Sequence, residues 1–140
     1  MTLVATWVRQ VATLQQLVVI SDSRATGGEV WDWCPKVLPL PRPATIAAVA
    51  GDLSLAYAYL VQAMSATILE TGNRTGRVDI GNFVAQIDRL LKPARSSDHL
   101  TDLPPVGDML EAELLIGGWS WRRSRFEALQ GARLSPLAGA

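Results

Sequence analysis

Residues 44–52 read Ala44-Thr45-Ile46-Ala47-Ala48-Val49-Ala50-Gly51-Asp52 and run directly into Leu53-Ser54-Leu55-Ala56-Tyr57. A short apolar run bounded by a proline-rich segment and a glycine has the composition of a buried strand. Asp52 carries the short acceptor side chain that suits a helix N-cap. Behind it Leu53, Ala56, Tyr57, Leu60, Val61, Met64, Ile68 and Leu69 recur at helical spacing. The stretch therefore predicts a strand, a glycine bend and a long helix over 53–71, with Gly72 as its C-terminal stop.

Upstream, residues 2–9 and 17–22 are rich in Val, Ile, Leu and Thr, and predict two strands joined through Gln10 to Gln16. Gly27-Gly28 marks a turn, a third extended piece covers 30–40, and Pro39, Pro41 and Pro43 forbid a helix and mark a corner. Downstream, a second helix begins near Asp79 to Asn82 and presents Phe83, Val84, Ile87, Leu90 and Leu91 on one side until Pro93. Residues 94–110, with Pro104-Pro105, predict a long loop. Residues 111–119 and 123–129 then predict a second hairpin that turns near Gly118 to Trp121. Helices between two blocks of antiparallel strand predict a single α/β (α+β) domain over 1–140, layered rather than doubly wound.

Composition narrows the function classes. The 140 residues are 49% hydrophobic and 19% charged, which is globular rather than disordered. Zero net charge gives no general attraction to nucleic acid or to acidic lipid. The one basic concentration, Arg122, Arg123 and Arg125, reads as a solvated strand edge, since it lacks interleaved aromatics. Cys34 is the single cysteine, which excludes an intramolecular disulfide and a cysteine zinc cluster; it reads as a small core residue. Neither a signal peptide nor a membrane-spanning stretch is legible, so a cytoplasmic location is expected. No nucleotide-binding or metal-ligand spacing is present, and no cofactor or metal is expected.

The chemistry rests on four residues in order: Thr2, Asp22, Lys36 and Gly51. A threonine hydroxyl is a poor nucleophile until a base takes its proton. At a chain's first position its own α-amine, with a reference pKa near 8, can serve as that base. Thr2 would reach that position by removal of Met1, since methionine is commonly trimmed ahead of a small residue. A buried lysine nearby would lower the pKa of amine and hydroxyl, and a carboxylate would hold that lysine and offset its burial. A backbone N–H at a glycine where a strand meets a helix can bind the oxyanion. Thr2 starts the first strand, Asp22 ends the second, Lys36 lies on the third and Gly51 closes the fourth.

Thr2, Val18-Val19-Ile20-Ser21-Asp22-Ser23-Arg24-Ala25-Thr26, Pro35-Lys36-Val37 and Ala48-Val49-Ala50-Gly51-Asp52 ahead of a long helix resemble the proteasome-type N-terminal-nucleophile hydrolases. That family includes the bacterial ATP-dependent peptidase of stacked rings and uncharacterised proteasome-like bacterial proteins. The resemblance covers about residues 2–70. It is weaker over 111–129, where Leu114-Leu115-Ile116-Gly117-Gly118 is similar to the family's first strand after its central helices. It implies an αββα sandwich of antiparallel sheets, with Thr2 as nucleophile, Asp22 and Lys36 as the charged pair and Gly51 as the oxyanion-binding backbone. It also implies a peptide or protein substrate, a homo-oligomer in rings, and an ATPase as a possible partner. The family continues past the second hairpin with a Gly-Ser-Gly-like segment, further helices and strands. Against that pattern the sandwich is expected to be incomplete at its C-terminal end.

Other readings stand beside this one. The chain could be a non-catalytic proteasome-like interaction or assembly subunit, or a small-molecule amidohydrolase on the same fold. His99 with Ser96, Ser97 and Asp98 offers a Ser-His-Asp alternative on a loop. Trp31 with Trp33, and Trp119 with Trp121, are period-2 pairs that put two indoles on one strand face, for sheet packing or a subunit contact.

Overall fold

The computed structural model describes residues 3–22, 33–95 and 112–134. Within them β1 (Val4–Val11) and β2 (Leu14–Ser21) form a two-stranded antiparallel sheet. A four-stranded sheet follows in the order β3 (Val37–Pro39), β4 (Thr45–Gly51), β5 (Ala112–Ser120), β6 (Arg125–Leu134), antiparallel throughout. Among the described residues three helices lie between β4 and β5: α1 (Leu53–Leu69), α2 (Thr71–Arg74) and α3 (Ile80–Arg95). The described chain is thus a mixed α+β arrangement with antiparallel sheets.

Two adjacent glycines of β5 define the layering. Successive strand residues face opposite sides of a sheet. A methyl group at Gly117 would come within 2.5 Å of Leu17 on β2, whereas one at Gly118 would come within 2.8 Å of Ile80 on α3. The four-stranded sheet therefore carries α1 and α3 on one face and the β1–β2 hairpin on the other. The helix-side core collects Ala47 and Val49 of β4, and Ala112, Leu114 and Ile116 of β5. Against them pack Ala56, Tyr59, Leu60 and Ala63 of α1, and Ile80, Phe83, Val84, Ile87 and Leu91 of α3. Burial of such a set is the main favourable term for the fold.

The hairpin side is more open. Leu17 reaches the sheet and the Gln15 side chain accepts the Phe126 N–H at 3.2 Å. A cleft of about 400 Å³ separates Leu3, Val4 and Thr6 from Ala48, Glu113 and Ala128. Thr6 Oγ1 is buried there without a hydrogen-bond partner.

Several boundaries differ from the sequence expectations, each for a local reason. The first hairpin turns on Ala12 and Thr13 alone, with Val11 paired to Leu14, so Gln10 to Gln16 is mostly strand. Ala12, Ala44 and Ser124 hold positive φ values of 52°, 48° and 51° at the three hairpin turns, where composition offers no glycine or asparagine to reveal them. The expected third strand over 30–40 contracts to Val37–Pro39 within the described residues. Gly72 does not stop the long helix: α1 ends at Leu69, Glu70 is extended, and Gly72 lies inside α2. The left-handed glycine that ends this helical region is Gly76, at φ 73°. Gly72 instead lets Val78 approach, 3.1 Å from where a Cβ would sit. The α3 backbone stays helical past Pro93 to Arg95, since a proline so near the end forfeits only one internal bond. Leu90 is 57% exposed and faces away from the core that Leu91 enters. The second hairpin turns over 121–124, so Trp121 lies in the turn and does not share a strand face with Trp119. Trp119 packs edge-on against Phe126, its partner on β6.

The two glycines yield a stability prediction. A methyl at Gly117 crowds only the pliable end of Leu17, its other neighbours lying at 3.6 Å, whereas one at Gly118 also crowds Thr45 Oγ1 at 3.0 Å and the Ala44 carbonyl at 3.2 Å. Gly118→Ala is expected to destabilise by about 1–3 kcal/mol, as overpacking does, and by more than Gly117→Ala. Urea unfolding of both variants checks the order.

Candidate functional site

The end of β2 and the start of β1 are closed on each other by Asp22. Its backbone N–H donates to the Leu3 carbonyl at 3.2 Å, and its Oδ1 accepts the Leu3 N–H at 3.4 Å. The same Oδ1 accepts from Lys36 Nζ at 2.8 Å. Lys36 is 1% exposed, one of the largest side chains buried in the molecule. Burying an ammonium costs several kcal/mol unless it is paired, and Asp22 supplies the counter-charge. The Asp22 side chain is itself 35% exposed, so the ion pair opens to solvent on the carboxylate side only. The hydrogen bond from Lys36 holds the Asp22 carboxyl below its ordinary range. The Lys36 charge and the Leu3 N–H act in the same direction, against partial desolvation.

Lys36 is also fixed through its backbone. Its carbonyl accepts the Val49 N–H at 2.9 Å, which extends the β3–β4 ladder by one bond. Tyr57, on the first turns of α1, donates its hydroxyl to the Pro35 carbonyl. Cys34 Sγ lies 3.3 Å from the same phenol oxygen. Burial, with the Cys34 contact adding to it, pushes the Tyr57 phenol up to about 12, so it remains a donor across neutral pH. The segment 34–36 is thereby clamped between β4 and α1. Cys34 is 2% exposed and sits in that clamp as a small buried side chain.

Gly51 closes β4 opposite Ala112, with φ at 89°, a conformation side chains rarely adopt. The next residue, Asp52, accepts the Leu55 N–H at 3.0 Å and caps α1. The glycine turns the strand direction into the helix direction. Gly51 lies two residues beyond Val49, the anchor of Lys36, or about 7 Å along the strand. Asp22, Lys36 and Gly51 thus belong to one end of the layered strands, where β1 begins and β4 stops. Thr2 lies outside the described residues, as do His99, Ser96, Ser97, Asp98 and Trp31. Leu3, the residue covalently next to Thr2, is the one that Asp22 holds.

Tyr57 is the residue that sequence reading missed: it counts there only as a member of the helical stripe. Its spacing from Asp52, one turn into the helix, is the single available signal that it could reach back toward the strand ends. Among the described residues no group of His, Cys, Asp or Glu is arranged to hold a metal, and no helix is long and apolar enough to cross a membrane. No family model matches the chain, and no curated protein matches it.

The burial asymmetry of the pair sets two expectations. Asp22→Asn removes the charge facing a buried ammonium, whereas Lys36→Met leaves a carboxylate that water can reach. Asp22→Asn is expected to cost the larger share of stability at neutral pH; the reverse order in urea unfolding would assign Lys36's burial to its other contacts. Because the folded-state pKa of Asp22 is lowered, its contribution is present above the unfolded value near 3.9 and is lost as pH falls through the folded value. The stability gap between parent and Asp22→Asn should accordingly shrink on acidification below about pH 4.

Proposed function

We propose that the chain is a threonine-nucleophile amide or peptide hydrolase of the proteasome-like type, acting through Thr2 once Met1 is removed. The observation that carries this reading is the fully buried Lys36 paired to an Asp22 that grips the backbone at Leu3. A lysine buried so completely beside the residue that follows Thr2 is costly for a purely structural role, and suits an electrostatic one. The layering of helices, a four-stranded sheet and a second antiparallel pair supports the αββα sandwich reading.

In this mechanism Thr2 Oγ attacks the substrate carbonyl and its proton passes to the Thr2 α-amine. The Gly51 N–H binds the oxygen on which negative charge develops. Lys36 keeps the amine and hydroxyl pKa values low, and Asp22 keeps Lys36 in place. The amine then protonates the leaving nitrogen as the C–N bond breaks, leaving an ester on Thr2. A water deprotonated by the same amine hydrolyses that ester and regenerates the hydroxyl.

A homo-oligomer belongs to the same proposal. The 17-residue α1 contains no charged residue, and Val61, Ile68 and Leu69 on its outer side are 58%, 50% and 84% exposed. Exposed large apolar side chains on an uncharged helix side, shared there with the polar Gln62 and Ser65, suit burial against a partner, and a second copy is the natural cover. The same surface suits the alternative of a non-catalytic interaction subunit, which the covalent test separates.

Treatment with a threonine-directed epoxyketone should add one adduct, mapping to Thr2 in protein that has lost Met1. Thr2→Ala should lose the adduct and all turnover of a fluorogenic peptide, while retaining the parent's circular dichroism. Lys36→Ala should lower kcat/KM by roughly 10²–10³, the scale of losing a key electrostatic group. Turnover by Thr2→Ala at the parent rate would reject the mechanism, and absence of any adduct would favour the interaction subunit. Sedimentation should show an oligomer that Val61→Glu with Ile68→Glu dissociates; a monomeric parent would reject the assembly.

A further inference from the structure

The three arginines that the sequence groups together are separated by the structure. Arg123 Nη1 and Arg125 Nε both reach Glu127 Oε1, at 2.8 and 3.2 Å. Arg122 instead lines a cleft of about 380 Å³ between the first turns of α3 and the β5–β6 turn. Arg77 and Arg89 line the same cleft, with Asn82, Gln86 and Trp121. All three of these arginines are exposed, and none forms an ion pair among the described residues. Arg89 also borders a neighbouring cleft that contains Glu70, and Arg122 lies over the Trp121 ring, 5.3 Å from its centre.

One carboxylate belongs to this cleft, and it is already occupied. Asp79 is 6% exposed. Its oxygens accept from the Ser120 hydroxyl at 3.1 Å, the Arg122 N–H at 3.2 Å and the Gly81 N–H at 3.4 Å. Burial alone would push its carboxyl up, but these donors and the Arg122 charge outweigh burial and hold it below the ordinary range. Asp79 is therefore spent on joining the β5–β6 turn to the start of α3. Three guanidinium groups around the opening face a single committed negative charge.

Gln86, which lines both this cleft and the neighbouring one, carries an acceptor without a donor. Gln86 Oε1 is buried and makes no hydrogen bond. A buried polar atom left unpaired is costly, and a bound group that donates to it removes that cost. An opening with three arginines and one waiting acceptor asks for a ligand that is anionic and also carries a hydroxyl. Phosphate answers both requirements: several oxygens for guanidinium forks, close to two charges at neutral pH, and hydroxyl chemistry on itself or on its ester.

We propose that this cleft is a binding site for phosphate or a small phosphate monoester, held by Arg77, Arg89 and Arg122, with Gln86 accepting from the ligand's hydroxyl. It is separate from the hydrolase site. Ala112 lies opposite Gly51, while the cleft begins beyond Ser120, about 26 Å along the same strand. The proposal consequently stands or falls independently of the threonine mechanism.

Calorimetric titration of the full chain with inorganic phosphate and with glycerol 3-phosphate, at constant ionic strength against sodium chloride, tests it. Saturable binding of either anion is expected. A tighter ester would mean that a ligand hydroxyl reaches Gln86, and equal affinities would assign the site to free phosphate. The Arg77→Gln, Arg89→Gln, Arg122→Gln triple variant should bind at least tenfold more weakly. Arg123→Gln with Arg125→Gln, which disrupts only the Glu127 cluster, should bind within twofold of the parent. Gln86→Glu should weaken binding at least tenfold by setting a carboxylate against the anion. If the triple variant fails to fold, Arg77→Gln alone replaces it, with a threefold or greater loss expected. No heat beyond the chloride control, undiminished binding by a folded arginine variant, or an equal loss in the Arg123/Arg125 control would overturn the site.

Discussion

A lysine ammonium placed wholly inside a protein constrains everything near it, and Lys36 imposes that constraint here. Its charge must be met at close range, and Asp22 meets it at 2.8 Å. Asp22 can do so only if β2 ends beside the segment leading into β3, which fixes the hairpin relative to the sheet. The carboxylate is in turn held by the Leu3 backbone, so the first described residue of the chain is registered to the same point. Tyr57 and Val49 complete the frame by holding the backbone on either side of Lys36. One buried charge thereby ties β1, β2, β4 and α1 together at one end of the molecule.

At the other end the fastening is also polar. Arg42, 6% exposed, spans from Thr45 Oγ1 at 3.1 Å to the Val78 carbonyl at 2.6 Å and lies over Phe83. It secures the proline corner to the approach of α3. Asp79 does the same for the β5–β6 turn. Between these two polar ends, the helix-side core is sealed by apolar contacts, and the hairpin side by few. Ala47, Val49, Ala112, Leu114 and Ile116 are buried against the helices, whereas on the opposite face Ala48, Ala50, Glu113 and Leu115 line an open cleft and Gly117 leaves room for Leu17.

Much of the architecture was legible because its causes are local. The Asp52 cap, the helical stripe behind it, the apolar run 45–51 and the strand-forming composition of both hairpins each depend on residues within a turn or two. Boundaries failed where the deciding contact was distant or unusual. Gly72 resembles a stop signal by type, yet its role is to admit Val78. Ala12, Ala44 and Ser124 hold positive φ with no glycine or asparagine to announce it, since strand pairing on both sides of each turn forces the strained conformation. Trp121 matched a strand period but fell in the turn that Asp79 anchors.

The sequence by itself determined the apolar strand into Gly51, the capped helix behind it, the two hairpins and an α+β pattern with antiparallel neighbours, and it placed Asp22 and Gly51 at strand ends and Lys36 within an extended segment. Those properties follow from period, capping and composition, which act within a few residues. Only the tertiary structure decided that Lys36 is buried and paired to Asp22, that Tyr57 joins them, and that Arg122 parts from Arg123 and Arg125 to face Arg77 and Arg89. Partners 14, 21 or 45 positions away are chosen by how layers stack, and a side chain's burial or charge balance exists only once those layers have met.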